Sequence, residues 1–423
     1  MRRALVMACI WVWTALPAWA ATYYVSAGGT NHSCSQATNP STRRNSINAG
    51  IACLSSGDTL IIGDGRYREL VSDVPPAAVA PPLGTGRAAL PNGTAGAYTI
   101  LKAEHRRQAI LTVTPQGDWL APIELSENAH HIRFEGLVID GQNHTTNGIA
   151  GSTHPTTLHA LQFVDLQIQN ILYMGVQMGG QNHQFINVDM KNIARTVDGE
   201  TTCPREGYCH PYYIGGSGHV MDGGTYTNVD GWVYHQGQGP GGHVFKNSTI
   251  DTATTIANCH NSTVFNVTAK NLSWGVSMGG GCAFVHNTVT LRTRGKPGTF
   301  IYQNAGSPNL IKNNLLFNFA NNPSEWDYIY IEDGQGQNLL RRGPHPNISG
   351  NVCDYRQNGC TYAPPSSCFV RDAAGGDFAL CSNSPAISAG VNDASMAPFT
   401  PDQAGVARPP SGPRDAGAAR KRR

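Results

Sequence analysis

The sequence predicts an all-β chain built as a solenoid of stacked coils. Three observations carry this: short apolar segments that recur at unequal steps, a small turn-forming residue that closes each one, and abundant glycine. Phe185-Ile186-Asn187-Val188 matches Phe245-Lys246-Asn247-Ser248 and Val264-Phe265-Asn266-Val267. Val285-His286-Asn287-Thr288 and Ile311-Lys312-Asn313-Asn314 align with them, and the same column holds Gly136, Asp165 and Gly223. From Gly136 the steps are 29, 22, 36, 24, 19, 21 and 26 residues. A strand unit of this length buries its apolar face only against a neighbour, so the units must stack. Unequal steps then mean loops of different length on a constant scaffold. The 48 glycines fit the many tight bends of a coil, because Gly and Asn tolerate positive φ. Asn187, Asn247, Asn266, Asn287 and Asn313 are expected at equivalent turns, laddering their amides along the axis.

Taken in order, Met1-Arg2-Arg3, an apolar run to Pro17 and Ala18-Trp19-Ala20 read as a secretory leader over residues 1–20 with an Ala-x-Ala cleavage site. Tyr23-Tyr24-Val25-Ser26 reads as a strand, residues 47–54 as a short helix, and Gly57-Asp58-Thr59 as a turn into Leu60-Ile61-Ile62. Residues 21–70 are thus a cap and the first coil strands. Pro75 to Pro91 is rich in Pro, Ala and Gly and reads as a long loop. Strands restart at Tyr98-Thr99-Ile100-Leu101, and coils are expected over residues 71–350. Residues 351–418 form a cysteine-rich C-terminal cap, and 419–423 a basic tail. One domain is expected, because a solenoid grows without a second core.

The two ends carry a resemblance. The strand, helix and "GDT" turn at the start are similar to the N-terminal cap of secreted right-handed parallel β-helix proteins with the pectate-lyase-like fold. Ser384-Pro385-Ala386-Ile387-Ser388-Ala389-Gly390, and Arg408-Pro409 through Asp415-Ala416-Gly417-Ala418, resemble the tail of the same proteins. The resemblance implies the fold. It does not choose among the lyases, hydrolases, epimerases, adhesins and tailspikes that share the scaffold.

Charge and cysteine narrow the class. Setting aside Arg2, Arg3 and the four basic residues 420–423 leaves 24 basic residues against 28 acidic ones, a net of about −4. No basic stripe is present, so nucleic acid is not the expected partner. No stretch is long and apolar enough to span a bilayer, and a monomer, secreted or periplasmic, is expected. Beyond Cys9 in the leader there are ten cysteines. An even number in an exported chain favours disulfides. Neighbour pairing gives Cys34–Cys53, Cys203–Cys209, Cys259–Cys282, Cys353–Cys360 and Cys368–Cys381, although sequence alone does not fix connectivity.

A second column points to a site. Val176-Gln177-Met178-Gly179-Gly180, Tyr212-Tyr213-Ile214-Gly215-Gly216 and Val276-Ser277-Met278-Gly279-Gly280 align. Strand alternation puts Val, Tyr, Val and Met, Ile, Met inside, and Gln177, Tyr213 and Ser277 outside. Val233-Tyr234-His235 and Ile301-Tyr302-Gln303 add Tyr234 and Tyr302 to the outer row, unless a one-residue slip turns His235 out instead of Tyr234. The 36-residue step beside this row holds Arg195, Asp198, Glu200, Arg205, Glu206 and His210, a natural cleft wall.

Eliminative cleavage of a uronic-acid polymer needs a base for the proton α to the carboxylate, a cation for the growing enolate-like charge and an acid for the leaving oxygen. Arg195 or Arg205 suits the cation, His210 or His235 the base, and Tyr213 or Tyr234 the acid. Gln177, Arg205, Trp232 and Tyr302 suit substrate binding. The expected ligand is a polysaccharide and the leading function a polysaccharide lyase. The alternatives are a non-catalytic carbohydrate-binding or structural protein, or a glycoside hydrolase. A hydrolase needs paired carboxylates, for which Asp222, Asp230 and Asp251 are candidates. His183, His219 and His243 fall in one column, read as imidazoles bonded to turns rather than as a metal ladder. No cofactor is indicated. Calcium stays open, since it needs converging carboxylates and the acids are dispersed.

Overall fold

The structure is a computed structural model that describes residues 20–75, 87–112, 121–153, 157–203, 209–291, 301–303, 309–317, 327–333 and 335–419. The expected leader up to residue 19, the basic tail from 420 and most of the Pro75–Pro91 loop lie outside them. Each coil contributes one strand to each of three parallel sheets. Sheet A has twelve described strands, from Thr22–Val25 to Ile348–Ser349. Sheet B has twelve, from Gly65–Arg68 to Cys360–Tyr362, and sheet C ten, from Val71–Ser72 to Ile329–Ile331. This is a right-handed parallel β-helix, as the repeats and the resemblance implied.

The N-terminal end is closed by the helix Ile47–Ile51, which follows the strand Thr22–Val25. Ser46 Oγ accepts from the Ala49 N–H, and the Glu69 carboxylate takes the Ile47 and Asn48 N–H groups, so the first turn is capped twice. Ile47 and Ile51 are buried. Gly50 lets the helix lie on the sheet, because a Cβ there would stand 2.5 Å from Val25 and 2.6 Å from Leu60. The interior then runs as columns. Phe134, Phe163 and Phe185 stack at 5.6 and 4.9 Å between ring centres, each worth about 1.5–3 kcal/mol of burial.

Register follows turns with positive φ. From the strand Ile132–Glu135 onward, the sheet A strands are followed by Gly136, Asp165, Asn187, Gly223, Asn247, Asn266, His286, Asn313 and Gly350, all with φ between 53° and 81°. This corrects one member of the expected column. Phe265 pairs with Val285, and Val285 with Lys312, so His286 takes the turn and Asn287 follows it. Asn287 points inward instead and starts a buried ladder: Asn314 Oδ1 accepts from Asn287 N and Nδ2 at 2.9 and 3.1 Å, and Asn351 Oδ1 accepts from Asn314 at 3.0 and 2.9 Å. The turn asparagines also hold the C-terminal segment. Asn313 bonds both N–H and carbonyl of Val391, Asn266 donates to the Pro401 carbonyl, and buried Arg408 donates to Asn266 Oδ1.

His183, His219 and His243 are buried in the wall between sheets C and A, in a column with Leu161, Ser262, Cys282 and Asn309. The rings stack at 4.6 and 4.7 Å. The N–H groups of Leu161, His183 and His219 each donate to Nδ1 of the imidazole one coil on, at 3.2, 3.0 and 3.2 Å. Nε2 of His183 and His219 faces the carbonyls of Gly179 and Gly215 at 2.9 and 2.7 Å. Both rings are therefore neutral Nε2–H tautomers. The reading of imidazoles bonded to turns holds, and His183 and His219 have neither nitrogen left for a metal ladder.

All five expected disulfides are present, with Cα–Cα separations of 5.3 to 6.4 Å. The protein freed of its first twenty residues is therefore expected to show no free thiol on titration of the denatured, unreduced chain; two or more thiols would contradict this pairing. The imidazole column makes a second expectation. Burial lowers His219 to about 4 and His243 to about 3, below an unfolded histidine near 6.5. Below about pH 6.5 the unfolded chain binds the extra protons, so stability falls as pH drops toward 4 and is unaffected above 7. Thermal midpoints should fall steeply between pH 7 and 4.5. His219→Asn should flatten that slope, since Asn309 accepts the equivalent bond from Cys282 N–H.

Candidate active site

Sheet C carries the outer row. Paired residues Gln177, Tyr213, His235, Asn258, Ser277, Tyr302 and Tyr330 follow one another up its outer face. Val176, Tyr212 and Val276, with Met178, Ile214 and Met278, are buried on the inner side as expected. Tyr234 is the correction. It pairs with Tyr212, is fully buried, and its hydroxyl lies 3.1 Å from Gln236 Oε1 and 3.2 Å from Ser262 Oγ. The residue facing outward is His235. Buried Gln236 explains the difference: it stands where neighbouring strands place Ile214 and Cys259, and its Oε1 serves the Tyr234 and Ser262 hydroxyls and the His260 N–H. A polar side chain with three interior partners breaks the alternation by which the strand was aligned.

A cleft of about 620 Å³ lies over the entry ends of the sheet C strands. The Cys203–Cys209 bridge walls one side, His210, Asp230 and Trp232 form its base, and Trp274, Ser277 and Tyr302 continue it along the axis. Trp274 is 41% exposed. It was not singled out from the sequence, yet the register places it above Thr255, which pairs with Trp232. Alignment by the entry ends of the strands, rather than by their glycines, brings both indoles into one column.

His210 is fully buried at the start of its strand, and two hydrogen bonds define its proton. The Trp232 backbone N–H donates to His210 Nδ1 at 3.2 Å, so Nδ1 carries a lone pair. His210 Nε2 lies 2.8 Å from His235 Nδ1 and must be the donor. His235 therefore accepts at Nδ1, and its own proton sits on Nε2. Burial, with His260 nearby, lowers His235 to about 4, so the ring is neutral at pH 7. The Tyr213 ring stands edge-on to it at 5.1 Å. The result is a fixed chain from backbone N–H through His210 to an imidazole N–H on the outer sheet.

Arg195 does not stand free. Its Nη1 donates to the Gly199 carbonyl at 2.9 Å, and Nη2 lies 3.7 Å from Asp230. Burial alone would raise the Asp230 carboxyl, but Thr254, Thr201, the Gly231 N–H and Arg195 together hold it below the ordinary carboxylate range. Arg195 and Asp230 thus tie the long loop to the next coil. Arg205 and Glu206 lie outside the described residues. Gln177 accepts from Asn147 at 2.9 Å beside the Tyr213 strand, and Tyr302 donates to Glu332 at 2.9 Å.

Asp222, Asp230 and Asp251 do not pair with one another. Asp222 binds Lys246 from sheet A, Asp251 binds Lys270 from sheet B, and only Asp230 reaches the cleft. Among the described residues no set of converging carboxylates suits calcium.

No family model matches this chain, and no curated protein sequence matches it. Among solved structures it is similar to the pectate lyase Pel9A, at 13% identity over 95% of this chain and 96% of that one, with a TM-score of 0.53. It is also similar to an alginate lyase from Paenibacillus sp. str. FPU-7, at 12% identity over 68% of this chain and 95% of that one, TM-score 0.42. A GH136 lacto-N-biosidase from Eubacterium ramulus aligns at 11% identity over 81% of this chain and 68% of that one, TM-score 0.44. At 13% identity the Pel9A likeness bears on the fold alone, a right-handed parallel β-helix of the pectate-lyase-like kind.

The His210 geometry depends on Gly231, whose φ is +62° and whose Cβ would stand 1.8 Å from the Cys209 carbonyl oxygen and 2.8 Å from His210 Nδ1. Gly231→Ala is expected to cost about 2 kcal/mol or more and to break the Trp232–His210 bond. Gly280→Ala, with open space around it, should leave the thermal midpoint unchanged. Equal midpoints for the two variants would contradict the close approach.

Proposed function

We propose that this protein binds a polysaccharide along sheet C and cleaves a uronic-acid chain by β-elimination. The observation that carries the reading is the outward His235, with its proton fixed on Nε2, packed against Tyr213 beside an aromatic cleft. The cleft follows the coils from His210 to Tyr302. At about 4.8 Å per coil, it suits an extended chain rather than a single sugar. Trp232, Trp274 and Tyr302 offer the flat apolar faces that sugar rings stack on. The Pel9A likeness is compatible with this reading and does not carry it.

The tautomer inverts the roles expected from sequence. His235 Nδ1 is occupied by His210, so His235 is a poor base and a good neutral hydrogen-bond donor. In this reading its Nε2–H meets the uronate carboxylate and strengthens as enolate-like charge grows there, as a preorganised neutral donor does. Tyr213, as phenolate, takes the proton α to the carboxylate. The C–O bond at the β carbon breaks, a C4–C5 double bond forms, and the phenol returns its proton to the leaving oxygen. Arg195 acts at one remove, by pinning the loop through Asp230. His210 is a positioning residue.

A second reading has its own support. Among the described residues no lysine or arginine lines the cleft, which suits a binder of uncharged glycans with no catalytic step. Incubation with a panel of uronate polymers, following the absorbance of new C4–C5 double bonds, separates the two. The lyase reading expects unsaturated product from at least one of the uronate polymers. It expects Tyr213→Phe to lower kcat by about 10²-fold or more with folding unchanged, and Trp274→Ala to act mainly on KM. Absence of unsaturated product with every polymer, together with weakened glycan binding in Trp274→Ala, would establish the binder instead.

A further inference from the structure

Three imidazoles meet on the opposite edge of sheet C, several coils before the cleft. His130 and His159 occupy equivalent positions in successive coils, joined by a parallel bridge. Their rings stack at 5.0 Å with 18° between planes. His131 stands edge-on to both, at 5.2 and 5.1 Å. One ring nitrogen from each of the three lies within 4.8 Å of the others, and all three side chains are half-buried.

Two features mark this cluster as more than packing. The first is proton accounting. His159 Nδ1 lies 2.6 Å from the Thr157 carbonyl and must donate to it, which leaves Nε2 with the lone pair. His130 is also supported by a backbone hydrogen bond to Gly93. Yet His130 Nδ1 faces His131 Nδ1 at 3.0 Å. One Nδ1–H donates to the other ring's lone pair there, and a metal ion would take that proton's place between them. The second feature is backbone. His131 has φ +52° at a turn position where later coils use Ala160, Asn182, Gly218, Gly242, Asn261 and Gly281. The later described coils fill this position with Ala, Asn or Gly, so the turn itself does not call for an imidazole.

We propose that His130, His131 and His159 form a binding site for a divalent transition metal of the zinc class, bridging two successive coils. All-imidazole sets select zinc, copper or nickel over calcium and magnesium. Three histidines leave a fourth tetrahedral position for water or an outside ligand. Tetrahedral ligands sit about 3.3 Å apart when the metal–nitrogen bonds are 2.0–2.1 Å. The His130–His131 pair is already near that separation, and a nitrogen of His159 lies within 4.8 Å of both. The Thr157 carbonyl supplies the outer hydrogen bond that fixes a ligating histidine. Thr157 is itself held, its hydroxyl donating to the Glu127 carbonyl at 2.8 Å.

The test uses the tag-free, metal-stripped protein, titrated with zinc chloride against a chelating indicator and, in parallel, with calcium chloride. One equivalent of zinc should bind with micromolar or tighter affinity and raise the thermal midpoint, while calcium should do neither. His159→Gln and His131→Asn should each weaken zinc binding by about a hundredfold or more and abolish the midpoint shift. Asn is chosen because Asn182 and Asn261 already occupy that turn position with positive φ, so the metal-free midpoint should stay close to wild type. Absence of stoichiometric zinc binding to the wild-type protein would overturn the proposal, as would undiminished binding in both variants or equal binding of calcium.

Discussion

From His131 to Gly281 the described coils pass from sheet C to sheet A through a residue with positive φ, and the next residue turns a side chain inward. In coil after coil that side chain accepts a hydrogen bond from the backbone N–H of the coil before it. His183, His219 and His243 do so with Nδ1, Ser262 with Oγ and Asn309 with Oδ1. Parallel sheets leave such N–H groups at the corners without a strand partner, and burying one unpaired costs about 1–3 kcal/mol. The column removes that penalty and fixes which residue of one coil lies over which residue of the next.

The outer surface inherits this order. Once Ser262 and Gln236 are committed inward, Tyr234 must follow them and His235 must face out. The same kind of bond, a backbone N–H onto an imidazole Nδ1, then recurs from Trp232 to His210 and sets the proton on His235. The tautomer at the site is thus set by a bond of the same kind at the entry to sheet C. The described part of the long loop is tied to the next coil through Arg195, Asp230 and Thr254.

Much of this was legible in the residues. The αL turns announce themselves as Asn, Gly or Asp because those residues adopt positive φ at little cost, and the disulfides joined sequence neighbours that the coils bring together. Two misreadings share one cause. Asn287 and Tyr234 were assigned by residue type, but His286 accepts the positive φ in place of Asn, and Gln236 points inward where an apolar residue was expected. A polar residue satisfied from inside looks, in sequence, like a polar residue facing water. The His130–His131–His159 cluster and Trp274 escaped for a different reason. Their meaning depends on which coil lies over which, and that is decided by loop lengths the repeat does not specify.

The measurement closest to the central claim is the ¹⁵N spectrum of imidazole-labelled protein at neutral pH. The account predicts that His183, His219, His210 and His235 are all neutral with the proton on Nε2, and that His210 and His235 are scalar-coupled across their hydrogen bond. A charged His235, or one protonated at Nδ1, would contradict the account of the site, and a proton on Nδ1 of His183 or His219 would contradict that of the corners.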